Sequence, residues 1–365
     1  MTISEINKGN HTSSLRGAPA PCGAEFLGGV FVDLLSQTVS AAAGNLLQPA
    51  VLFFALGLIA ALARSDLALP KEAAKTLSLV LMLCIGFKGG VEARAHGLDA
   101  GFLKAAGLGL VLSFLLPLPA YALLKRMGLN TITAAATAAH YGSVSVVTFA
   151  AAQSYLSAIG QAPGGYMSAV LALMETPGLL TAIAIAAIAT RDGAHGKDPD
   201  RVSAGKLAHE VLLNAASVVL IGGFFIGLIT GHQGGARLAT FTGPVFQGVL
   251  CVFLLDLGVR AGRQLAAARG FKISLLAMGI VLPILGGAVA LVLGKLAGLP
   301  AGDLAALAVL AASASYIAAP AAMSMALPKA DAGVYLTLSL GVTFPFNLTL
   351  GIPLLAMAAA LLAGG

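Results

Sequence analysis

Apolar runs of bilayer-crossing length recur along almost the whole chain, and a segment in hydrocarbon must satisfy its own backbone, as a helix does. From residue 47 onward ten such runs stand out, near 47–63, 76–92, 102–124, 131–154, 165–190, 208–230, 242–261, 272–297, 303–327 and 332–362. The last is long enough to include an overhang or a break at Pro353. Only 10% of the residues are charged, against about 25% in a soluble domain. The expected fold is therefore an all-α membrane protein with ten transmembrane helices.

The ends and connectors set its orientation. Residues 1 to about 25 are polar and read as a tail. The apolar stretch Phe26–Leu35 is short, contains Asp33 and has no basic leader, so a cleaved signal is not expected. Residues 30–44 suit a short interfacial helix, so 1–45 form an N-terminal region apart from the spans. Fourteen of the Lys and Arg residues, among them Lys71, Lys75, Arg260 and Arg263, fall on one side, and seven on the other. Positive connectors stay in the cytoplasm, which places both termini outside an inner membrane and the charged connector 191–206 inside.

The spans also repeat. HYGSVSVVTFAAA (His140–Ala152) has a second version in AASASYIAAPAAM (Ala311–Met323). A shift of 172 residues pairs Ser143 with Ser315 and Thr148 with Pro320, and also pairs IGFKGG (Ile85–Gly90) with LGVRAG (Leu257–Gly262). With a four-residue gap, Glu175 falls on Thr343 and Pro177 on Pro345. Five spans per copy is an odd number, so the copies must enter the membrane in opposite directions. An inverted five-plus-five repeat follows, with halves 46–190 and 207–365.

The two serine-rich stretches carry the candidate chemistry. Gly142, the β-branched run Val144–Thr148 and, in the second copy, Pro320 all weaken a continuous helix. Broken helices in mid-bilayer bare N–H groups that attract an anion and carbonyls that ligate a cation. Ser143, Ser145, Thr148, Ser313 and Ser315 add hydroxyls, and Tyr316 reaches toward the same place. Close helix packing through small residues is the alternative reading. Glu175 lies mid-span, where an acid costs about 2.5–3.5 kcal/mol. Pro177 loosens the backbone beside it, which makes it a sodium or proton ligand, with a structural ion pair to Lys88 as the alternative. Asn347, after Pro345, is the neutral counterpart. Asp256 is explained by an i,i+4 pair with Arg260. Lys88 and Arg260, at matched positions, mark an anion path or snorkel to an interface. His140 is read as a packing histidine.

Other functions find little support. No basic run alternates with aromatics, which excludes nucleic acid. No GxxxxGK[ST] is present, and Cys22, Cys84 and Cys251 form no ligand motif. His140 and Glu175 stand alone rather than as a nucleophile–base pair, so a membrane enzyme or a sensor is a remote alternative.

At these residues the sequence resembles the sodium-dependent bicarbonate transporters of cyanobacteria and their bacterial relatives, over about 47–362. GSVSVVTFAAA is similar to that family's Gly-x-Val-Ser-x-x-Thr-x-Ala-Ala-Ala. METPGLLTAI resembles Met-Asp-Ile-Pro-Ala-Leu-Val-Thr-Ala-Ile, AASASYIAAP resembles Ala-Ser-Ser-Ser-Asp-Ile-Ser-Gly-Pro, and IGFKGG resembles Ile-Gly-Leu-Thr-Gly-Gly. The resemblance implies core and gate domains, a homotrimer, and sodium-coupled uptake of a small anion, bicarbonate first. A sodium–organic anion symporter or a sodium–proton exchanger is the alternative. By matching the family's motifs the resemblance implies site roles for Ser145, Thr148, Ser313, Ser315 and Glu175; together with the reading of the broken helices, the expected sodium ligands are Glu175, Ser145, Thr148 and Ser315, and the expected anion seat is Ser143, Ser313, Tyr316 and Gly142. It also implies a cytoplasmic regulator of the PII type. Two departures stand out: Tyr316 replaces a family Asp, and Ala318-Ala319-Pro320 replaces Ser-Gly-Pro.

Overall fold

The computed structural model describes residues 46–97, 99–175, 177–191 and 215–364. The N-terminal region expected over 1–45 and all but the first residue of connector 191–206 lie outside these described residues. Every regular element among them is helical. Six helical stretches are long and apolar enough to cross a membrane: Lys71–Ala95, Ala100–Arg126, Met167–Ala186, Val218–Ala267, Ile273–Leu296 and Ala332–Gly364. The chain is a multi-pass membrane protein.

The helices follow the expected runs closely, and local chemistry decides where they stop. α1 (Pro49–Leu62) starts with a proline, whose missing N–H costs nothing at a first turn. α2 (Lys71–His96) ends at Gly97, which has a positive φ. α3 (Ala100–Leu115), capped by Asp99, passes into α4 (Pro117–Arg126) at Pro117. α5 (Thr131–Gly142), capped by Asn130, stops at Ser143, and α6 (Val146–Ala158) restarts after Ser145. α7 (Met167–Glu175) and α8 (Pro177–Arg191) share one apolar stretch, Met167–Ala186, on either side of position 176.

The second half runs likewise. α9 (Ala215–Thr240) is kinked at Gly231, φ 55°, and continues through a π-helical turn into α10 (Phe246–Ala267). α11 (Ile273–Leu296) is followed by α12 (Ala301–Ala312), which stops at Ser313, and by α13 (Ala318–Ala326). The last run is interrupted earlier than Pro353. It opens as α14 (Ala332–Leu336), widens into π-helix over Thr337–Thr343 and again over Asn347–Gly351, and closes as α15 (Ile352–Gly364). Pro345 and Pro353 lack the N–H that a regular ladder needs, and a π turn next to each redistributes the carbonyls.

Two helix pairs are built on glycine. In the α2–α9 pair, a Cβ on Gly86 would lie 2.2 Å from Leu220 O, one on Gly90 1.9 Å from Phe224 O, and one on Gly227 2.1 Å from Phe87 O. In the α1–α10 pair, a Cβ on Gly258 would lie 2.1 Å from Phe54 O, and one on Gly57 2.1 Å from Leu255 O. Glycine is required here because backbone meets backbone. The contacts correspond. Gly86 and Gly258 differ by 172, and their partners Leu220 and Phe54 by 166; the same offsets carry the Gly90–Phe224 contact to Gly262 and Leu58.

The remaining helices surround α5 and α12. Every residue from Thr133 to Gly142 and from Asp303 to Ala312 is buried. Half of these positions in each helix are alanine, whose small side chain lets neighbours approach closely from every side. Gly86→Val should lower thermal stability by about 1–3 kcal/mol through overpacking. Gly107→Ala, with nothing within 4 Å of its Cβ position, should melt like the wild type. Equal melting of both variants, read by thermal unfolding in detergent, would contradict this packing.

Candidate functional site

The two interrupted helices meet. Ser143 and Ser313 cap α5 and α12 in extended conformation, at φ −97°, ψ 153° and φ −82°, ψ 164°. Leaving the helix at these points frees amides that a continuous helix would use internally. Two of them are satisfied across the pair. Ser145 N donates to Ser313 Oγ at 2.9 Å, and Ser313 Oγ passes its own proton to Leu310 O at 2.7 Å. Ser315 N donates to His140 O at 2.8 Å. Residues 140 and 310, 143 and 313, 145 and 315 are each 170 apart. The two peptide breaks thus exchange corresponding bonds, once directly and once through a serine hydroxyl.

This offset differs from the 172 of the glycine motifs. Between the two motifs lie spans of unequal length, Ala100–Arg126 of 27 residues and Ile273–Leu296 of 24. Ser143 therefore corresponds to Ser313 rather than Ser315, and Ser145 to Ser315. Both members of the second pair take an amide of the next helix's first turn, Ser145 as its N-cap. Ser145 Oγ accepts from Thr148 N at 3.1 Å, and Ser315 Oγ accepts from Ala319 N at 3.2 Å.

A cavity of about 10 Å³ sits at the meeting point. Ser145, Glu175, Ser315 and Tyr316 line it, together with the first residues of α6 and α13, Val146 and Ala318. A space of this size holds about one water-sized particle. It suits a monovalent cation and is too small for a four-atom oxyanion. The α6 and α13 N-termini both start here, so the partial positive charge of two helices faces the same point that Glu175 makes negative.

The sequence-selected residues divide as follows. Of the expected cation ligands, Glu175, Ser145 and Ser315 line the cavity. Thr148 stands behind them, its Oγ1 donating to Ser145 Oγ at 2.9 Å. Of the expected anion seat, only Tyr316 lines it. Ser143 Oγ is committed to Glu175 O at 2.7 Å, and Ser313 Oγ to Leu310 O. Gly142 packs against Gly178, where a Cβ would meet the Gly142 carbonyl carbon at 2.1 Å. Tyr316 closes the cavity by accepting a bond from Ser145 Oγ at 3.0 Å. Its ring lies edge-on to Phe344 at 5.0 Å, and Phe344 lies edge-on to Phe54 of α1 at 5.2 Å. An aromatic column thus runs from the cavity wall to the glycine-packed helices.

Other candidates resolve otherwise. Lys88 pairs with Glu92 at 4.0 Å within α2. The expected i,i+4 pair is present, Arg260 Nε donating to Asp256 Oδ2 at 2.7 Å. His140 is fully buried; its Nδ1 lies 2.7 Å from Ala136 O and its ring stacks on Tyr335 at 4.5 Å. Thr343, aligned with Glu175, donates to Gly279 O at 2.6 Å and bonds Tyr141 OH at 2.8 Å. Asn347 Nδ2 donates to Ala312 O at 2.7 Å, serving the last carbonyl of α12.

Sequence reasoning missed Ser113, the one hydroxyl in the apolar run LVLSFLL. It is fully buried beneath the first break. Its Oγ lies 2.7 Å from both Gly142 O and Met174 O and accepts from Gly178 N at 3.0 Å. It takes up the carbonyl that ends α5 at the Ser143 break and also binds backbone groups on either side of Pro177, the residue that has no N–H to give. A lone polar residue in an otherwise pure apolar span was the available signal.

A second, larger cavity of about 840 Å³ lies beside the first, between the glycine-packed helices and α13. The two share Tyr316, Ile317 and Ala318 as a common wall.

Comparison with known proteins agrees with this architecture. Residues 49–360 match the family model of the Na+-dependent bicarbonate transporter superfamily. No curated protein matches the chain significantly. Ser113→Ala should leave three buried backbone groups without their partner and cost about 1–3 kcal/mol. Thermal unfolding measures this, and wild-type stability would show that Ser113 does not brace the breaks.

Proposed function

The chain belongs to the Na+-dependent bicarbonate transporter superfamily, and on that premise we propose that its sodium and bicarbonate are coupled at the cavity where the two breaks meet. Family membership makes sodium a co-transported ion rather than a resident cofactor. The observation that carries the assignment is the convergence of Glu175, Ser145, Ser315 and Tyr316, chosen from distant parts of the chain, on one buried space.

Glu175 supplies the negative charge for the cation and Ser145 and Ser315 supply oxygen ligands, while Thr148 orients the Ser145 hydroxyl. The cavity holds the cation alone, so bicarbonate requires movement of its wall. Tyr316 is that wall. When its hydroxyl leaves Ser145, the α6 and α13 N-termini become open to an anion, with Ser143 and Ser313 as the frame and Gly142 as the close-packed joint that fixes it. Sodium favours this state because it offsets the Glu175 charge, which would otherwise repel the anion. Occupancy of one site thus raises affinity at the other.

The same reading includes an inverted repeat of 46–190 and 207–365, joined by the connector 191–206. The corresponding glycine contacts of α2–α9 and α1–α10 and the exchanged bonds of the breaks support it. α1, α2, α9 and α10 form a gate, the helices around α5 and α12 form a core, and inward movement follows from one sliding on the other. The lysine and arginine bias supports termini outside the cytoplasm. A homotrimer and a PII-like regulator complete the proposal as the family resemblance implies them.

Glu175→Gln should lower apparent sodium affinity in bicarbonate uptake by about tenfold or more, the equivalent of about 1.4 kcal/mol. Glu175→Asp should retain most of it. Proteoliposome uptake against a sodium series reads this, and an unchanged sodium dependence in the Gln variant would remove Glu175 from the cation site.

A further inference from the structure

The larger cavity carries chemistry that the coupling site does not use. Lys71, Lys75, Arg260 and Arg263 line it, against the single carboxylate of Asp256. That carboxylate is already engaged. The Asp256 side chain is 3% exposed, the Arg260 side chain 43%, and the bond between them uses the guanidinium Nε. The buried acid thus engages the guanidinium through Nε and leaves both Nη groups out of that bond, on a residue that lines the cavity. No other hydrogen bond joins Arg260 to a described residue. Arg263 differs, since its Nη2 donates to Leu67 O at 3.1 Å. Lys71 and Lys75 are exposed. Arg260 is thus the one cation here that is held in a fixed direction while its paired donors stay open.

Two parallel N–H groups match the two oxygens of a planar carboxylate-like anion, which an ammonium cannot do. Bicarbonate is such an anion. The surrounding lysines raise the local anion concentration without directing it. An ion that passes the Tyr316–Ala318 wall enters this cavity directly, because that wall bounds both spaces.

We propose that Arg260 is a second bicarbonate-binding residue, on the far side of the wall from the sodium cavity, and that Asp256 is the positioning residue that turns its guanidinium fork outward. This rests on reading the crossing as the coupling site and the lysine- and arginine-rich side as the cytoplasm. The site then receives bicarbonate on release into the cell and presents it for reverse transport.

The test compares the two faces of the protein reconstituted in liposomes of known orientation. Labelled bicarbonate is supplied from outside for influx or loaded inside for efflux, with the sodium gradient set accordingly. Arg260→Gln should raise the cytoplasmic-face KM by about tenfold, as loss of a bidentate pair implies, and shift the external-face KM by less than about twofold. Arg260→Lys keeps the charge and loses the fork; it should show most of the same rise, and it decides the matter if the Gln variant does not fold. Asp256→Asn should move the same KM in the same direction. Lys75→Gln should give a smaller change that fades at high ionic strength. An Arg260→Lys protein with wild-type KM on the cytoplasmic face overturns the proposal, as does an equal rise on both faces. Wild-type liposomes without sodium-driven bicarbonate flux would instead overturn the coupling-site reading itself.

Discussion

Peptide groups freed from a helix in the middle of a bilayer have no water to turn to, and each unmet one costs several kcal/mol. The rest of this structure follows from how that demand is met. Ser145 N and Ser315 N find partners only in the opposite break. Neither interruption is therefore stable alone. Ser113 and Asn347 take up the carbonyls that end α5 and α12, and Ser143 takes up that of Glu175. Most of the hydroxyls in this region serve a backbone group, and Thr148 and Tyr316 bond to Ser145 Oγ instead. The fixed frame that results leaves one small space, and the only buried carboxylate lining it belongs to Glu175.

Around this frame the packing is of two kinds. Backbone-to-backbone glycine contacts lock α1 to α10 and α2 to α9, and alanine surrounds α5 and α12. Such surfaces are shaped for sliding or rocking as units, since close-packed interiors shift between discrete arrangements rather than deform continuously. The Tyr316–Phe344–Phe54 column links the wall of the small cavity to α1. The same column therefore joins α1 to the wall between the small cavity and the basic one. The replacement of a carboxylate by Tyr316, seen from the resemblance, reads physically as a neutral, bulky wall where a second charge would otherwise sit.

Much of this was legible in the sequence because membrane crossings are written in long apolar runs, and mid-span acids and repeated serines are rare enough to notice. Among the described residues the apolar runs fall on helices, and Glu175, Ser145, Ser315 and Tyr316 lie together. Other features were not legible. The bonds exchanged between the serine stretches correspond at an offset of 170 rather than the 172 read from the sequence, and low-complexity sequence hides such a shift. Ser143, Ser313 and Gly142 were expected to seat the anion because their residue types fit; that Ser143 bonds Glu175 O and that Gly142 packs on Gly178 depends on neighbours far along the chain. Ser113 gave only a single-residue signal. The π-helical turns at Pro345 and Pro353 depend on how a long helix absorbs two prolines inside a packed core, which composition does not reveal.

Everything rests on two backbone breaks that complete one another around a cation. Electron cryomicroscopy of the protein in lipid nanodiscs with sodium and bicarbonate tests this most directly. The account predicts non-helical backbone at 143–145 and 313–317, the Ser145 and Ser315 amides bonded across the pair, and sodium density beside Glu175. A continuous helix through either segment, or sodium bound elsewhere with the cavity at Glu175 empty, would contradict it.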